Sequence, residues 1–145
     1  MAKHYGAGEQ EQVHRILRYA MACVLSLSIL IYAGIYFGAP QISSIFNKDQ
    51  NEVLQRIAIE GLRLYFTACP FVGCNIIIST YFTSTARPLP ANLISVLRGF
   101  VIIIPLAFLF SAAWKMTGIW CVFPCTEWIV SVAGILFYIV QRQKI

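Results

Sequence analysis

Three polar side chains stand where the chain is otherwise apolar, and they are the ones able to do chemistry. Glu127 lies within residues 116–141, with eleven uncharged residues before it and fourteen after it. A carboxylate at the centre of a membrane span costs roughly 2.5–3.5 kcal/mol to insert, so it needs a partner, a water-filled cavity or a proton. Two uses fit it. One is a structural acid, protonated or paired with an arginine and facing the bundle interior. The other is a station on a substrate or ion pathway. Pro124, three residues earlier, removes a helix hydrogen bond and frees a carbonyl one turn back, and a broken ladder beside an acid is how transporters build polar sites at membrane depth. Asn75 follows Pro70 and Gly73 inside residues 64–86, a run of 23 residues without charge. A buried amide there binds either a neighbouring helix, at about 0.6 kcal/mol, or a ligand. Arg98 lies about two turns, roughly 12–15 Å, in from the preceding loop. It either snorkels back to the interface or reaches Glu127 on the adjacent antiparallel span, across a gap about one arginine side chain long by the same rise counting.

No catalytic constellation accompanies these residues. The chain has no G-x-S-x-G elbow, no glycine-rich phosphate loop, no H-E-x-x-H and no acidic pair, so an enzyme is not expected. Cys23, Cys69, Cys74, Cys121 and Cys125 all fall in apolar stretches, without a C-x-x-C or clustered histidines. They read as small apolar packing residues rather than a zinc or redox centre. His4 and His14 belong to the polar N-terminal segment and read as solvent-facing.

The elements that must position the three residues follow from composition. Of 145 residues, 59% are hydrophobic and 12% charged, with a mean hydropathy of +0.71, far from a soluble domain. The expected architecture is an all-α integral membrane protein. Residues 1–18 form a cytoplasmic loop and helix start, and residues 19–145 a four-helix membrane domain with spans near 19–38, 53–86, 91–114 and 116–141. Each is long enough for a bilayer, which takes about 20 apolar residues. Gly38-Ala39-Pro40 is expected to end the first span, and Gly34 and Gly38 form a G-x-x-x-G step that admits a neighbouring helix. Residues 41–52 read as a loop, and Glu52, Arg56 and Glu60 as a solvated, salt-bridged stripe. Pro70, Pro105 and Pro124 are the candidate helix breaks. The polar lead and the long first apolar run do not match a signal peptide, so the first helix is expected to be retained.

The net charge of +5 does not point to nucleic acid, because the basic residues are scattered at helix ends and carry no binding signature. They set orientation instead. Lys3, Arg15, Arg18, Arg87, Arg98, Arg142 and Lys144 fall on the side of the termini, against Lys48, Arg56, Arg63 and Lys115 on the other. That balance places both termini in the cytoplasm, in a multi-pass protein of the plasma membrane.

Several stretches together resemble the multidrug and toxic compound extrusion (MATE) transporters. Tyr5-Gly6-Ala7-Gly8 before a basic-aromatic helix start resembles the loop after their eighth helix. Arg63-Leu64-Tyr65, Pro70-Phe71, Gly73-Cys74-Asn75-Ile76 and Tyr81-Phe82 resemble the tenth. Ile94-Ser95-x-x-Arg98 resembles the start of the eleventh, and Gly118-Ile119-Trp120 with Pro124-x-x-Glu127 the twelfth. The resemblance covers nearly the whole chain and implies a C-terminal portion, helices nine to twelve, of a two-lobed twelve-helix antiporter. It implies export of amphipathic cationic small molecules in exchange for sodium ions or protons, with no other cofactor. The partners implied are the lipid bilayer and the missing helices or a second chain. Family members that place a coupling-ion acid in the tenth helix have no counterpart here, since residues 64–86 carry none. Three rivals remain. A small dimeric four-helix exporter wants an acid in the first span, and residues 19–47 hold none. A four-helix membrane thiol oxidoreductase wants a C-x-x-C. A non-transporting interaction subunit asks for nothing specific.

Overall fold

The computed structural model describes residues 1–86 and 88–142, all of whose regular structure is helical. A short α1 (Ala2–Gly6) turns through Gly8, at φ +75, into the 37-residue α2 (Gln10–Phe46). The second rod is built from α3 (Glu52–Tyr65), a single 3-10 turn (Phe66–Ala68) and α4 (Cys69–Ser84). Then come α5 (Pro88–Val96), a π-helical turn (Leu97–Val101) and α6 (Ile103–Arg142). Lys115, at φ 50 and ψ −123, breaks α6 into 103–114 and 116–142. The two parts pack back to back, since a Cβ on Gly118 would overlap the Phe110 carbonyl oxygen. Three helical stretches, Gln10–Phe46, Glu52–Ser84 and Leu89–Val140, are long and apolar enough to cross a membrane, and the third is the one folded at Lys115.

In the bundle, α4 lies between α2 and α6, with α5 against its C-terminal end. Glycines mark the closest approaches: a Cβ on Gly73 would run into Val24 of α2, and one on Gly61 would overlap the Trp120 indole. The buried core joins Val13 and Leu17 of α2, Ile78, Tyr81 and Phe82 of α4, Ala91 and Ile94 of α5, and Val130 of α6. Large apolar side chains such as Leu30, Phe37 and Phe108 point outward, which in water would be an aggregation hazard and in lipid is the ordinary condition.

Several local expectations need correction. Residues 1–18, expected as a loop and helix start, are mostly helix: α1 and the first turns of α2 occupy most of them. Gln10, Glu11 and Gln12 are good helix formers, and Val13 and Leu17, one turn apart, are drawn into the core. Nor does α2 stop at Pro40; it runs to Phe46, so the loop shrinks to 47–51. A helical proline leaves the carbonyl four residues back without its donor, and here that carbonyl, Tyr36 O, accepts from Arg63 Nε at 3.2 Å. The Arg63 guanidinium also sits 4.5 Å over the Tyr36 ring. Gly34 and Gly38 admit no neighbour, for only Ile42 of the same helix lies within 4 Å. The Glu52, Arg56 and Glu60 side chains are exposed, and among the described residues the ion pairs are His4–Glu9 and Arg98–Glu127. Hydration competes well with holding two long side chains together.

Of the candidate breaks, Pro70 stands in the first turn of α4, immediately after the 3-10 turn. Pro105 occupies the first turn of α6, where a missing N–H costs little, and the irregularity precedes it, at the π turn. Pro124 interrupts nothing, and α6 is helical through it. His14 is half-buried beside the rings of Tyr81 and Tyr138, each 6.3 Å away, rather than free in solvent. Arg87 and Lys144, both counted in the charge balance, lie outside the described residues, as does the side chain of Arg142.

Candidate functional site

Two helices each offer a pair of groups one turn apart. From α6 come Glu127 and Ser131; from α4 come the Phe71 carbonyl and Asn75. The Asn75 amide nitrogen donates to Glu127 Oε2 at 2.8 Å and to the Glu127 backbone carbonyl at 3.1 Å. The Ser131 hydroxyl faces both Asn75 Oδ1, at 3.0 Å, and the Phe71 carbonyl, at 3.2 Å. This fixes the amide: its oxygen faces a hydroxyl donor and its nitrogen faces acceptors. The three side chains are sealed, at 0% exposure for Glu127, 2% for Asn75 and 4% for Ser131.

Arg98 completes the cluster from the π turn. Its Nε lies 3.0 Å from Glu127 Oε1. The N–H does not align on that oxygen, so the contact is an ion pair while Oε1 accepts no hydrogen bond. The turn is closed by Ile102 N–H donating to the Leu97 carbonyl, a five-residue step. Such a π turn redirects the side chains it carries and is frequent at functional sites. Of the two readings open for Arg98, the structure shows the one in which it reaches Glu127.

The Arg98 side chain is also 37% exposed, and it opens on a cavity of about 410 Å³ lined by Asn75, Ile76, Ser79, Thr80, Ile94, Ser95, Arg98 and Gly99. Two hydroxyls there are anchored to their own helices, Thr80 to the Ile76 carbonyl at 2.8 Å and Ser95 to the Ala91 carbonyl at 3.0 Å. No carboxylate is among the lining residues. A charged pair between helices is held against a large desolvation cost, so its partners must be placed well. Antiparallel packing does this: Ile94 meets Gly134 and Arg98 meets Glu127.

Elsewhere, an apolar cavity of about 550 Å³ lies between α2, α3 and α6, with Ile42, Leu54, Tyr65, Met116 and Trp120 in its wall. The five cysteines are free, and no group of three or more His, Cys, Asp or Glu among the described residues is arranged to hold a metal. The structure thus brings Glu127, Asn75 and Arg98 together. Pro70, Pro105 and Pro124 take no part in the contacts around Glu127. Ser131 was missed by sequence reasoning, although its position one turn after a buried acid is a usable signal. Ser79, Thr80 and Ser95 carried no such signal, because hydroxyls in apolar helices usually bond their own backbone.

Long apolar helices closed around a buried carboxylate and its half-buried arginine define a multi-pass protein embedded in a membrane. The chain belongs to the MatE family, whose pattern matches residues 1–109, a stretch that includes Asn75 and Arg98 and stops short of Glu127. A FAD transporter of Shewanella oneidensis is similar, at 25% identity over 146 residues that take in 98% of this chain. The chain spans 30% of that relative's length. No solved structure matches.

Proposed function

We propose that this chain supplies part of one lobe of a MATE-type antiporter of the cell membrane, corresponding to helices nine to twelve, with both termini cytoplasmic. Its family membership supports transport over enzymic turnover, and its 30% share of the relative's length supports a cavity completed by further helices or a second chain. The passengers implied by the resemblance are amphipathic cations, exchanged for a sodium ion or a proton. The observation that carries the reading is the fully buried Glu127, neutralised by Arg98 and gripped by Asn75. A buried acid of this kind marks an ion or substrate path by default. Because Arg98 already occupies it, a coupling cation arriving at Glu127 must displace the guanidinium, and that displacement links the coupling step to movement of the α5–α6 hairpin.

The test is to co-express the chain with the missing helices and follow extrusion of a fluorescent cationic dye under sodium or proton gradients. Gradient-dependent extrusion is expected, falling at least tenfold in Glu127→Gln. Dye retention no different from the empty vector would leave the transport reading without support.

A second reading of the passenger is an anionic dinucleotide. It is favoured by the name of the similar protein, a FAD transporter, and by a cavity walled by an arginine with no carboxylate in its lining.

A further inference from the structure

We infer that the cavity beside Arg98 is an oxyanion site, which takes a phosphate group through the outer edge of the guanidinium. Guanidinium carries five N–H donors in a rigid planar fork. Here the Nε side is pinned 3.0 Å from a carboxylate with no exposure to solvent. The two Nη groups donate no hydrogen bond among the described residues, and the side chain reaches the 410 Å³ cavity. An arginine held from behind by an acid and open at its fork is oriented for two parallel hydrogen bonds to a phosphate. Ser79 supplies a hydroxyl beside it, Thr80 and Ser95 donate to a bound oxygen only by releasing the Ile76 and Ala91 carbonyls, and Asn75 closes the wall. The sign of the wall decides between ligand classes. A cation entering this cavity meets the positive face of the pair, with the Glu127 carboxylate sealed behind it. An oxyanion meets the guanidinium fork and no carboxylate in the lining.

The inference deepens the anionic reading of the passenger and rests on it for its biological use, although the binding itself does not require transport. The phosphate has two sources, a soluble phosphoryl compound or an anionic lipid headgroup. The full 145-residue chain, purified in dodecyl maltoside micelles that carry no phosphate, would be titrated calorimetrically with inorganic pyrophosphate at low salt. Saturable binding is expected, weakened severalfold in Arg98→Lys, which keeps the charge and loses the fork. It should fall at least tenfold in the paired variant Arg98→Gln/Glu127→Gln, which leaves no lone buried charge and is checked for helicity by circular dichroism. Adding phosphatidylglycerol separates the sources: if it competes with pyrophosphate in wild type, and itself binds wild type more tightly than the paired variant, the occupant is a lipid headgroup, and indifference to it indicates a soluble one. Pyrophosphate binding equal in wild type and the paired variant, or absent from wild type with no phosphatidylglycerol binding either, overturns the inference. Failure of dye extrusion with pyrophosphate binding intact would instead count against the transport reading alone.

Discussion

The bundle holds two polar clusters, and they differ in kind. One, at the α2–α3 junction, gathers Gln55, Ser43, Asn47 and the Pro40 carbonyl, with Arg63 and Tyr36 one turn below. Its core is neutral, it is partly open to solvent, and its bonds have a structural use: Arg63 serves the Tyr36 carbonyl that Pro40 leaves without a donor, and Gln55 ties Ser43, Asn47 and the Pro40 carbonyl together at the turn. The other joins Glu127, Arg98, Asn75 and Ser131. It is charged, buried on the acid side, and most of its bonds satisfy one another's side chains rather than repair a helix. A cluster that mends the backbone is explained by folding. One that brings its own charge into a membrane helix bundle asks for another reason, and the oxyanion site proposed beside Arg98 would supply it.

The comparison breaks most sharply if the charged pair is split. Arg98→Leu leaves a carboxylate buried and unpaired, and is expected to cost about 3–5 kcal/mol. The double variant Arg98→Leu/Glu127→Leu should recover wild-type stability or exceed it, as read by denaturant unfolding in micelles. If the single variant were as stable as wild type, the Glu127 carboxylate would not depend on Arg98 as described. Asn75→Ala is next, since it strips a donor from the acid and an acceptor from Ser131, and a loss of about 2 kcal/mol is expected on the same scale. On the neutral side, Arg63→Ala removes the donor to Tyr36 and the cation over its ring, for about 1–2 kcal/mol. Its local sign is faster amide exchange in 36–46, with protection of Glu127 and its neighbours unchanged. Smallest is Asn51→Ala, which removes the cap that accepts from Val53 and Leu54 N–H at 3.0 and 3.2 Å. About 1 kcal/mol is expected, confined to the start of α3.

The helical, membrane-embedded character was legible because lipid leaves few choices: a backbone that cannot bond to water must bond to itself, and long apolar runs become helices. Local punctuation was less readable. Pro40 looked like an end and is not one, because Arg63, 23 positions along the chain, supplies the missing donor. Gly34 and Gly38 looked like a contact and have none, while Gly61, Gly73 and Gly118, which form no G-x-x-x-G step, sit where Trp120, Val24 and the Phe110 carbonyl come closest. Glycine spacing states what a helix permits. Which permission is used depends on the partner's shape.

For the site, sequence alone singled out Glu127, Asn75 and Arg98, each for its depth in an apolar run, because the cost of polarity in lipid is a property of a single residue and its neighbours in the chain. Whether Arg98 escaped to the interface or turned inward was a difference of one side-chain length, below what counting rises along ideal helices resolves. The π turn at Leu97–Val101 and the reversal at Lys115 decided it, by setting the register in which two antiparallel helices meet. Register is a property of packed surfaces, and only the tertiary structure holds it.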